Sequence, residues 1–195
     1  TKLSASLFKG LSPWTNRLPG RMMHVNVLGC TLFAAISGSS AATATTVGRI
    51  TLSELFKRSY DKDLAIGTLA GAGTLGFLIP PSIILIIYGV LSETSILKLF
   101  IAGIVPGLLL SLGFMGYVAI RATLNPSLIP DENIDATWRD RLNGLVDLGP
   151  VGFLILLVLG SMYAGFASPS EAAAVGVLGA VLVSAAQKTL SWKTL

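Results

Sequence analysis

The amino-acid sequence predicts an all-α membrane protein that crosses the bilayer several times. Of its 195 residues, 52% are hydrophobic and only 12% are charged, and the mean hydropathy is +0.74. Five long stretches carry no Asp, Glu, Lys or Arg: 22–48, 64–91, 99–120, 148–170 and 172–187. A helix or strand of a soluble protein needs polar residues at regular spacing on its wet face, and these stretches lack them. The composition therefore disfavours a soluble enzyme or a nucleic-acid-binding protein.

The basic residues indicate how the first stretch sits in the membrane. Lys and Arg collect on the cytoplasmic side of membrane proteins. If residues 22–48 enter and leave the bilayer on one side, thirteen of the 14 cations share that side and only Lys98 lies opposite. If they cross it, the cations divide nine to five. The distribution predicts a re-entrant hairpin over 22–49, preceded by a cytoplasmic or interfacial segment over 1–21.

The polarity of this stretch also favours a hairpin. Residues 22–36 are apolar, and the ten residues 37–46 carry six hydroxyl groups. Fifteen helical residues rise about 22 Å, so a turn at Gly38 lies near or past the middle of the bilayer. Irregular backbone at that depth has to be enclosed by protein or water. Ser39 or Ser40 is predicted to cap the second arm, and residues 50–63 to form a cytoplasmic loop.

The second stretch, 64–91, predicts a transmembrane helix that is broken in its middle. Three glycines and two prolines interrupt it: Gly71, Gly73, Gly76, Pro80 and Pro81. Pro81 suits the first position of the second half-helix, with Ser82 following it. Carbonyl and hydroxyl oxygens at such a break suit an alkali cation, and helix N-termini at the break and at the hairpin turn favour an anion.

Three ordinary transmembrane helices are predicted after the break, at 99–121, 148–167 and 169–188. Between the first two, residues 122–147 are predicted to form a cytoplasmic loop that contains an interfacial amphipathic helix. Its apolar face consists of Ile134, Trp138, Leu142 and Leu145. A capping-box pattern, Ser168 to Glu171, precedes the last helix. That helix carries a stripe of small residues that favours helix packing: Ala172, Gly176, Ala180 and Ser184.

The hydroxyl-rich tract 37–46 is the strongest candidate for a ligand site. Small polar residues in membrane helices more often serve packing than ion binding, but a packing motif repeats every four residues, and these hydroxyls cover every face. An intramembrane serine protease would need a histidine beside its nucleophile. The only histidine, His24, is thirteen residues before Ser37, about 20 Å away along a helix. The sequence therefore predicts no enzyme and no metal cluster of the Cys/His type.

Two segments carry a specific family resemblance. Residues 34–44 (AAISGSSAATA) and 71–82 (GAGTLGFLIPPS) closely resemble the large membrane subunit of tripartite ATP-independent periplasmic (TRAP) transporters, and the likeness continues through 98–107 and 168–174. The resemblance implies an elevator-type transporter built from two inverted repeats, of which this chain looks like an internal fragment covering mainly the first. Its expected location is the bacterial inner membrane.

The resemblance also implies a substrate, a coupling ion and partners. The substrates expected are organic anions such as C4-dicarboxylates or sialic acid, delivered by a periplasmic solute-binding protein, with a small membrane subunit beside the large one. Na⁺ is the expected coupling ion and no cofactor is implied. Two alternatives remain: a hairpin-containing Na⁺/carboxylate or ion transporter that works without a binding protein, and a purely structural membrane subunit.

Site residues follow from the same motifs. Carried over by motif, the resemblance implies a first Na⁺ site formed by Ser37, Ser39, Ser40, Gly73, Thr74, Gly76 and Pro80. The organic anion would lie beside Ser40, Thr43, Pro81 and Ser82. The companion Na⁺ site would belong to the second repeat, outside this sequence.

Overall fold

The computed structural model describes residues 2–130 and 136–187, with side chains from residue 6 onward in those ranges. Eight α-helices form the described part: α1 Lys2–Thr15, α2 Met23–Ser37, α3 Ser40–Lys57, α4 Lys62–Gly73, α5 Ile83–Leu91, α6 Ile96–Leu124, α7 Trp138–Tyr163 and α8 Pro169–Ala186. Short 3₁₀ helices at Thr74–Phe77 and Pro126–Leu128 complete it. Helices α6, α7 and α8 are long and apolar enough to cross a membrane. The predicted all-α, multi-pass class is confirmed.

Helices α2 and α3 form a helical hairpin joined by a two-residue turn. Gly38 ends α2 with a φ of 61°, and its N–H donates to the Ala34 carbonyl at 3.0 Å. Ser39 caps α3, because its hydroxyl oxygen accepts the Ala42 N–H at 3.4 Å. Of the two predicted caps, Ser39 is therefore the one used. That this hairpin is re-entrant, and the side from which it enters the membrane, both stay predictions.

The second arm of the hairpin is longer than the sequence suggested. Helix α3 continues to Lys57, through most of the region that was expected to be a loop at 50–63. The continuation is amphipathic, since Val47, Thr51 and Leu55 are buried at four-residue spacing while Arg49 is exposed. Only residues 58–61 connect α3 to α4, which Asp61 caps by accepting the Leu64 N–H at 2.8 Å.

The helix break predicted within 64–91 is present, but its second half begins later than expected. Helix α4 passes into the 3₁₀ helix Thr74–Phe77, and α5 starts at Ile83 rather than at Pro81. Ser82 is in an extended conformation, with φ −118° and ψ 130°. Its hydroxyl donates to the Phe77 carbonyl at 2.7 Å and does not cap the helix. Because Ser82 is bonded to Phe77 in an extended conformation, α5 begins after it, and Pro81 lies outside α5.

Helix α7 is continuous where two elements had been predicted. It begins at Trp138, within the expected interfacial helix of 134–147, and runs through Pro150 into the expected span of 148–167. A capping box starts it: the Thr137 hydroxyl accepts the Asp140 N–H, and the Asp140 carboxylate accepts the Thr137 N–H at 2.8 Å. Pro150 lies inside the helix without ending it, and α1 packs along the turns that precede it. Ile134 lies outside the described residues.

Helix α8 begins with the capping box that its sequence predicted, and only part of its small-residue stripe is packed. Glu171 and Ser168 form the capping box, with the Ser168 N–H donating to the Glu171 carboxylate at 2.7 Å. Ala172 is buried, and a methyl group on Gly176 would lie 3.1 Å from Val158 of α7. Of the predicted stripe, Ala172 is buried and Gly176 faces α7, whereas Ala180 is exposed and Gly179, outside the stripe, packs closely against Leu157 of α7.

The main apolar core lies directly beneath the hairpin turn and the helix break. Ala34 from α2, Val47 from α3 and Ala72 from α4 belong to it, together with Leu75 of the 3₁₀ helix. All four side chains are buried. This core fixes the two non-helical segments relative to each other.

Candidate functional site

The hairpin turn and the helix break touch through their backbones. A Cβ atom added to Gly76 would lie 2.7 Å from the Ser40 nitrogen and 2.8 Å from the Ser39 carbonyl carbon. One added to Gly38 would lie 2.5 Å from the Pro81 carbonyl oxygen. The Ile83 N–H donates to the Gly38 carbonyl at 3.1 Å. Both contacts require glycine, and they bring together the two segments that the sequence singled out.

Three oxygens converge at the hairpin tip, and we call them the oxygen triangle. The Ser37 hydroxyl oxygen is 2.8 Å from the Thr43 hydroxyl oxygen and 3.3 Å from the Ser39 carbonyl oxygen. The Thr43 hydroxyl donates to the same Ser39 carbonyl at 2.7 Å. Thr43 is fully buried. The triangle therefore unites Ser37 and Ser39, predicted for Na⁺, with Thr43, predicted for the substrate.

The other residues predicted for Na⁺ differ in burial and in hydrogen bonding. Ser40 is partly buried, and its hydroxyl has no hydrogen-bond partner among the described residues. Gly73 is buried against α3, where an added Cβ would lie 2.9 Å from the Ala44 Cβ. Thr74 is exposed and donates its hydroxyl to the Gly71 carbonyl at 2.7 Å. No hydrogen bond in the described part joins Thr74 to the triangle.

Pro80, Pro81 and Ser82 form the helix-break side of the contact with the hairpin turn. Pro80 is buried and Pro81 is partly buried against Gly38. Ser82 is fully buried, with its hydroxyl bonded to the Phe77 carbonyl. One N–H at the start of α5, that of Ile83, is already bonded to the hairpin. This positive helix end is therefore partly neutralised by a protein carbonyl.

A cavity of about 390 Å³ borders the hairpin tip. Ser37, Gly38 and Pro81 line one side of it, and Val158 of α7 and Gly176 of α8 line the other. Of the three residues that form the oxygen triangle, Ser37 is the one that faces this space. A ligand that entered the cavity would meet the Ser37 end of the triangle.

The donor set at the tip suits a monovalent cation. Its oxygens are neutral hydroxyls and a carbonyl, which are hard ligands preferred by alkali and alkaline-earth ions rather than by soft transition metals. Within residues 2–130 and 136–187, no group of three or more His, Cys, Asp and Glu side chains could hold a metal ion. His24 lies at the start of α2, with Nε2 2.6 Å from the Pro19 carbonyl, so it gives Ser37 no base.

Two polar links that hold the site in place were not identified from the sequence. The Asn26 amide of α2 donates to the Ala65 carbonyl at 3.1 Å and to the Thr68 hydroxyl at 3.2 Å, both on α4. The hydroxyls of Thr31 on α2 and Ser111 on α6 are 2.8 Å apart. The available signal was a single amide or hydroxyl within a long apolar stretch, where a polar group needs a partner.

Comparison with known proteins gives one consistent family. The family model described as "Tripartite ATP-independent periplasmic transporter, DctM component" matches residues 1–195. The chain is 42% identical over 170 residues to the C4-dicarboxylate TRAP transporter large permease protein of Pseudomonas aeruginosa, covering 85% of this chain and 38% of that protein. It is 36% identical over 159 residues to the corresponding protein of Vibrio cholerae, covering 82% and 34%.

A relative named for another substrate matches equally well. The ectoine TRAP transporter large permease protein of Halomonas elongata is 42% identical over 167 residues, covering 85% of this chain and 38% of that protein. The chain thus spans between about a third and two fifths of the length of these relatives. All three relatives are named as transporter permeases and not as enzymes. The chain belongs to the DctM family, the large permease components of TRAP transporters.

Proposed function

We propose that this chain forms part of a Na⁺-coupled, binding-protein-dependent secondary transporter that imports organic anions across the bacterial inner membrane by an elevator mechanism. Family membership supports the transport class. The observation that carries the ion assignment is the oxygen triangle at a point where two interrupted helical elements meet, a recurring design of secondary transporters. The substrates proposed are C4-dicarboxylates or sialic acid, in keeping with the names of several relatives.

In this proposal the residues at the tip divide between ion and substrate. The Ser37 and Thr43 hydroxyls and the Ser39 carbonyl hold Na⁺, with Gly73, Thr74, Gly76 and Pro80 forming the wall behind them. The organic anion binds on the open side of the tip, where the Ser40 hydroxyl is available to donate to a carboxylate. Pro81 and Ser82 shape that side.

The partners follow from the family. We assign to the whole protein a small TRAP membrane subunit, which would brace the exposed apolar helices, and a periplasmic solute-binding protein, which would deliver the substrate. The second half of the permease would supply the companion Na⁺ site. These assignments concern the full-length protein, of which this chain covers the smaller part.

The test uses the full-length permease, reconstituted in proteoliposomes with its two partners. Replacing Ser37→Ala together with Thr43→Val removes two hydroxyl ligands and should raise the Na⁺ concentration for half-maximal uptake by about tenfold or more. Thr45→Val is the matched control. Thr45 belongs to the same hydroxyl tract but is exposed, with its hydroxyl bonded to the Ala41 carbonyl of its own helix, so its removal should leave the Na⁺ dependence within about twofold.

Each alternative predicts a different result. Unchanged Na⁺ dependence in the double variant would contradict the ion assignment. Uptake that persists when the binding protein is omitted would favour a hairpin transporter that works without one. Full activity after Gly38→Leu would support a purely structural subunit, because that change would disrupt the turn where the two interrupted elements meet.

A further inference from the structure

Helix α1 and the first turns of α7 form a close antiparallel pair. Their contacts run in opposite order along the two helices: Lys9 Nζ is 3.2 Å from the Asp147 carboxylate, Gly10 meets Gly144, and Trp14 meets Arg141. A Cβ atom on Gly144 would lie 2.6 Å from the Gly10 carbonyl oxygen, so the two backbones touch. The pair is a rigid platform at the start of α7.

Arg141 lies close to two indole rings on this platform. Its guanidinium carbon is 5.0 Å from the ring centroid of Trp138 and 6.0 Å from that of Trp14. Both distances fall within the range of cation–π attraction. We call these three residues the Trp–Arg–Trp cluster. The planar guanidinium fork is itself preorganised for paired hydrogen bonds, so less entropy is lost for each hydrogen bond that it forms to a ligand.

The charge of Arg141 is not neutralised within the described part of the chain. No carboxylate there lies within ion-pair distance of it, and its Nε is buried without a hydrogen-bond partner. The two nearest acidic residues along α7 are engaged elsewhere. Asp140 accepts hydrogen bonds from Thr137 at 2.6 and 2.8 Å, and Asp147 pairs with Lys9. A partly exposed guanidinium with no acceptor among residues 6–130 and 136–187 is available to an external anion.

The surroundings of the cluster indicate which anion binds there. Trp138, Leu142 and Leu145 share one face of α7 and are 72%, 60% and 50% exposed, and this apolar face leads directly into the membrane-spanning part of the helix. Tryptophan favours the boundary between acyl chains and headgroups. Guanidinium groups bind phosphate through paired hydrogen bonds, and the cytoplasmic leaflet is rich in anionic lipid.

We infer that the Trp–Arg–Trp cluster binds the phosphate group of an anionic phospholipid in the cytoplasmic leaflet. The inference rests on the proposed topology, which puts α1 and the start of α7 on the cytoplasmic side. The lipid phosphate receives the guanidinium N–H groups of Arg141, and its acyl chains lie along the exposed face of α7. The bound lipid thereby fixes the α1–α7 platform at the membrane surface.

The experiment measures lipid selectivity in the purified full-length permease with spin-labelled phosphatidylglycerol and phosphatidylcholine. Arg141→Gln should lower the preference for phosphatidylglycerol by about tenfold or more, because a charge-assisted hydrogen bond to the phosphate is lost as well as one positive charge. Arg139→Gln is the matched control, because Arg139 is exposed on the same helix turn without either ring contact. It should lower the preference by no more than about fivefold, the factor expected from any one cation near a membrane surface.

Further outcomes separate the possible sources of phosphate and the purely structural role. Loss of bound phosphatidylglycerol on adding millimolar inorganic phosphate would overturn the lipid assignment in favour of a soluble anion. Equal effects of Arg141→Gln and Arg139→Gln would overturn the site. If Arg141→Gln fails to fold, Arg141→Lys serves in its place, because it keeps the charge and loses the planar guanidinium. An unchanged preference for phosphatidylglycerol in that variant would also overturn the proposed site. Transport is not measured, so the result stands apart from that of the Na⁺ experiment.

Discussion

Gly38 determines the geometry of the hairpin tip more than any side chain does. Its φ of 61° is in the left-handed region, where only glycine is unstrained. Its position leaves no room for a methyl group, since a Cβ would meet the Pro81 carbonyl oxygen at 2.5 Å. Its own carbonyl accepts the Ile83 N–H. Gly38 thus reverses the direction of the chain and also hydrogen-bonds to the start of α5, the second half of the broken helix.

Replacing Gly38→Ala should lower the free energy of unfolding by about 2 kcal/mol or more. The left-handed conformation alone costs an L-residue roughly 1–2 kcal/mol, and the overlap with Pro81 adds to it. Gly67→Ala is the matched control, because Gly67 lies in α4 with nothing within 4 Å of an added Cβ, and it should raise stability by less than about 1 kcal/mol. Unfolding of the full-length permease by SDS titration would measure both. Equal stability of the two variants would show that the turn tolerates a side chain.

At the residue scale, the sequence predicted the chemistry of the tip better than its geometry. The hydroxyl-rich composition of 37–46 was visible directly. That Thr43 joins Ser37 and Ser39 depends on the helix beginning at Ser40, because Thr43 then lies one turn above the Ser39 carbonyl. The exposure of Thr74 depends on the orientation of the 3₁₀ helix, which no local pattern determines.

At the scale of elements, the α1–α7 pair shows how two glycines position a long helix. Gly10 and Gly144 allow backbone contact, which brings Lys9 within 3.2 Å of Asp147. Close approach of two helices at small residues increases their van der Waals contact. The first turns of α7 therefore have a fixed partner outside the expected membrane span.

Gly144→Val should separate these two helices. Cysteines introduced as Lys9→Cys and Asp147→Cys, in a full-length permease whose native cysteines, Cys30 included, are replaced by serine, should be joined efficiently by a short bifunctional thiol reagent. Adding Gly144→Val should reduce that cross-linking by about tenfold, because a side chain there would overlap the Gly10 carbonyl. Gly152→Val on the same helix, where nothing lies within 4 Å, should leave the yield unchanged. High yield with Gly144→Val would mean that the contact is not required for pairing.

Helix starts were easier to predict from the sequence than helix continuations. The capping box at Ser168 and Glu171 and the Ser39 cap are local patterns, so both were recognised. The extension of α3 to Lys57 and the continuity of α7 through Pro150 depend on packing against other helices. Such tertiary packing overrides local sequence signals. The start of α5 at Ile83 was missed because the Ser82 hydroxyl bonds backward to Phe77 instead of capping forward.

At the scale of the whole molecule, the distribution of Lys and Arg predicts a membrane topology that cysteine labelling can test. Arg17, Ser53 and Thr94 are exposed, and each can be replaced by cysteine in a permease whose native cysteines, Cys30 included, are replaced by serine. If the hairpin is re-entrant, a membrane-impermeant maleimide added to intact spheroplasts should label only Thr94→Cys, because Arg17→Cys and Ser53→Cys face the cytoplasm. Labelling of either Arg17→Cys or Ser53→Cys from outside, without its counterpart, would mean that residues 22–48 cross the membrane once instead of turning back within it.

The hydrogen bond between Ile83 and Gly38 also constrains the order in which segments of the chain can enter the membrane during synthesis. The hydroxyl-rich turn leaves the ribosome 45 residues before its backbone partner does. During that interval the six hydroxyls of 37–46 have no helix break to pack against, and acyl chains are a poor solvent for them. The hairpin is therefore expected to wait at the membrane surface or in the translocation machinery, and to enter the bilayer only when the residues around Gly76 and Ile83 can accompany it.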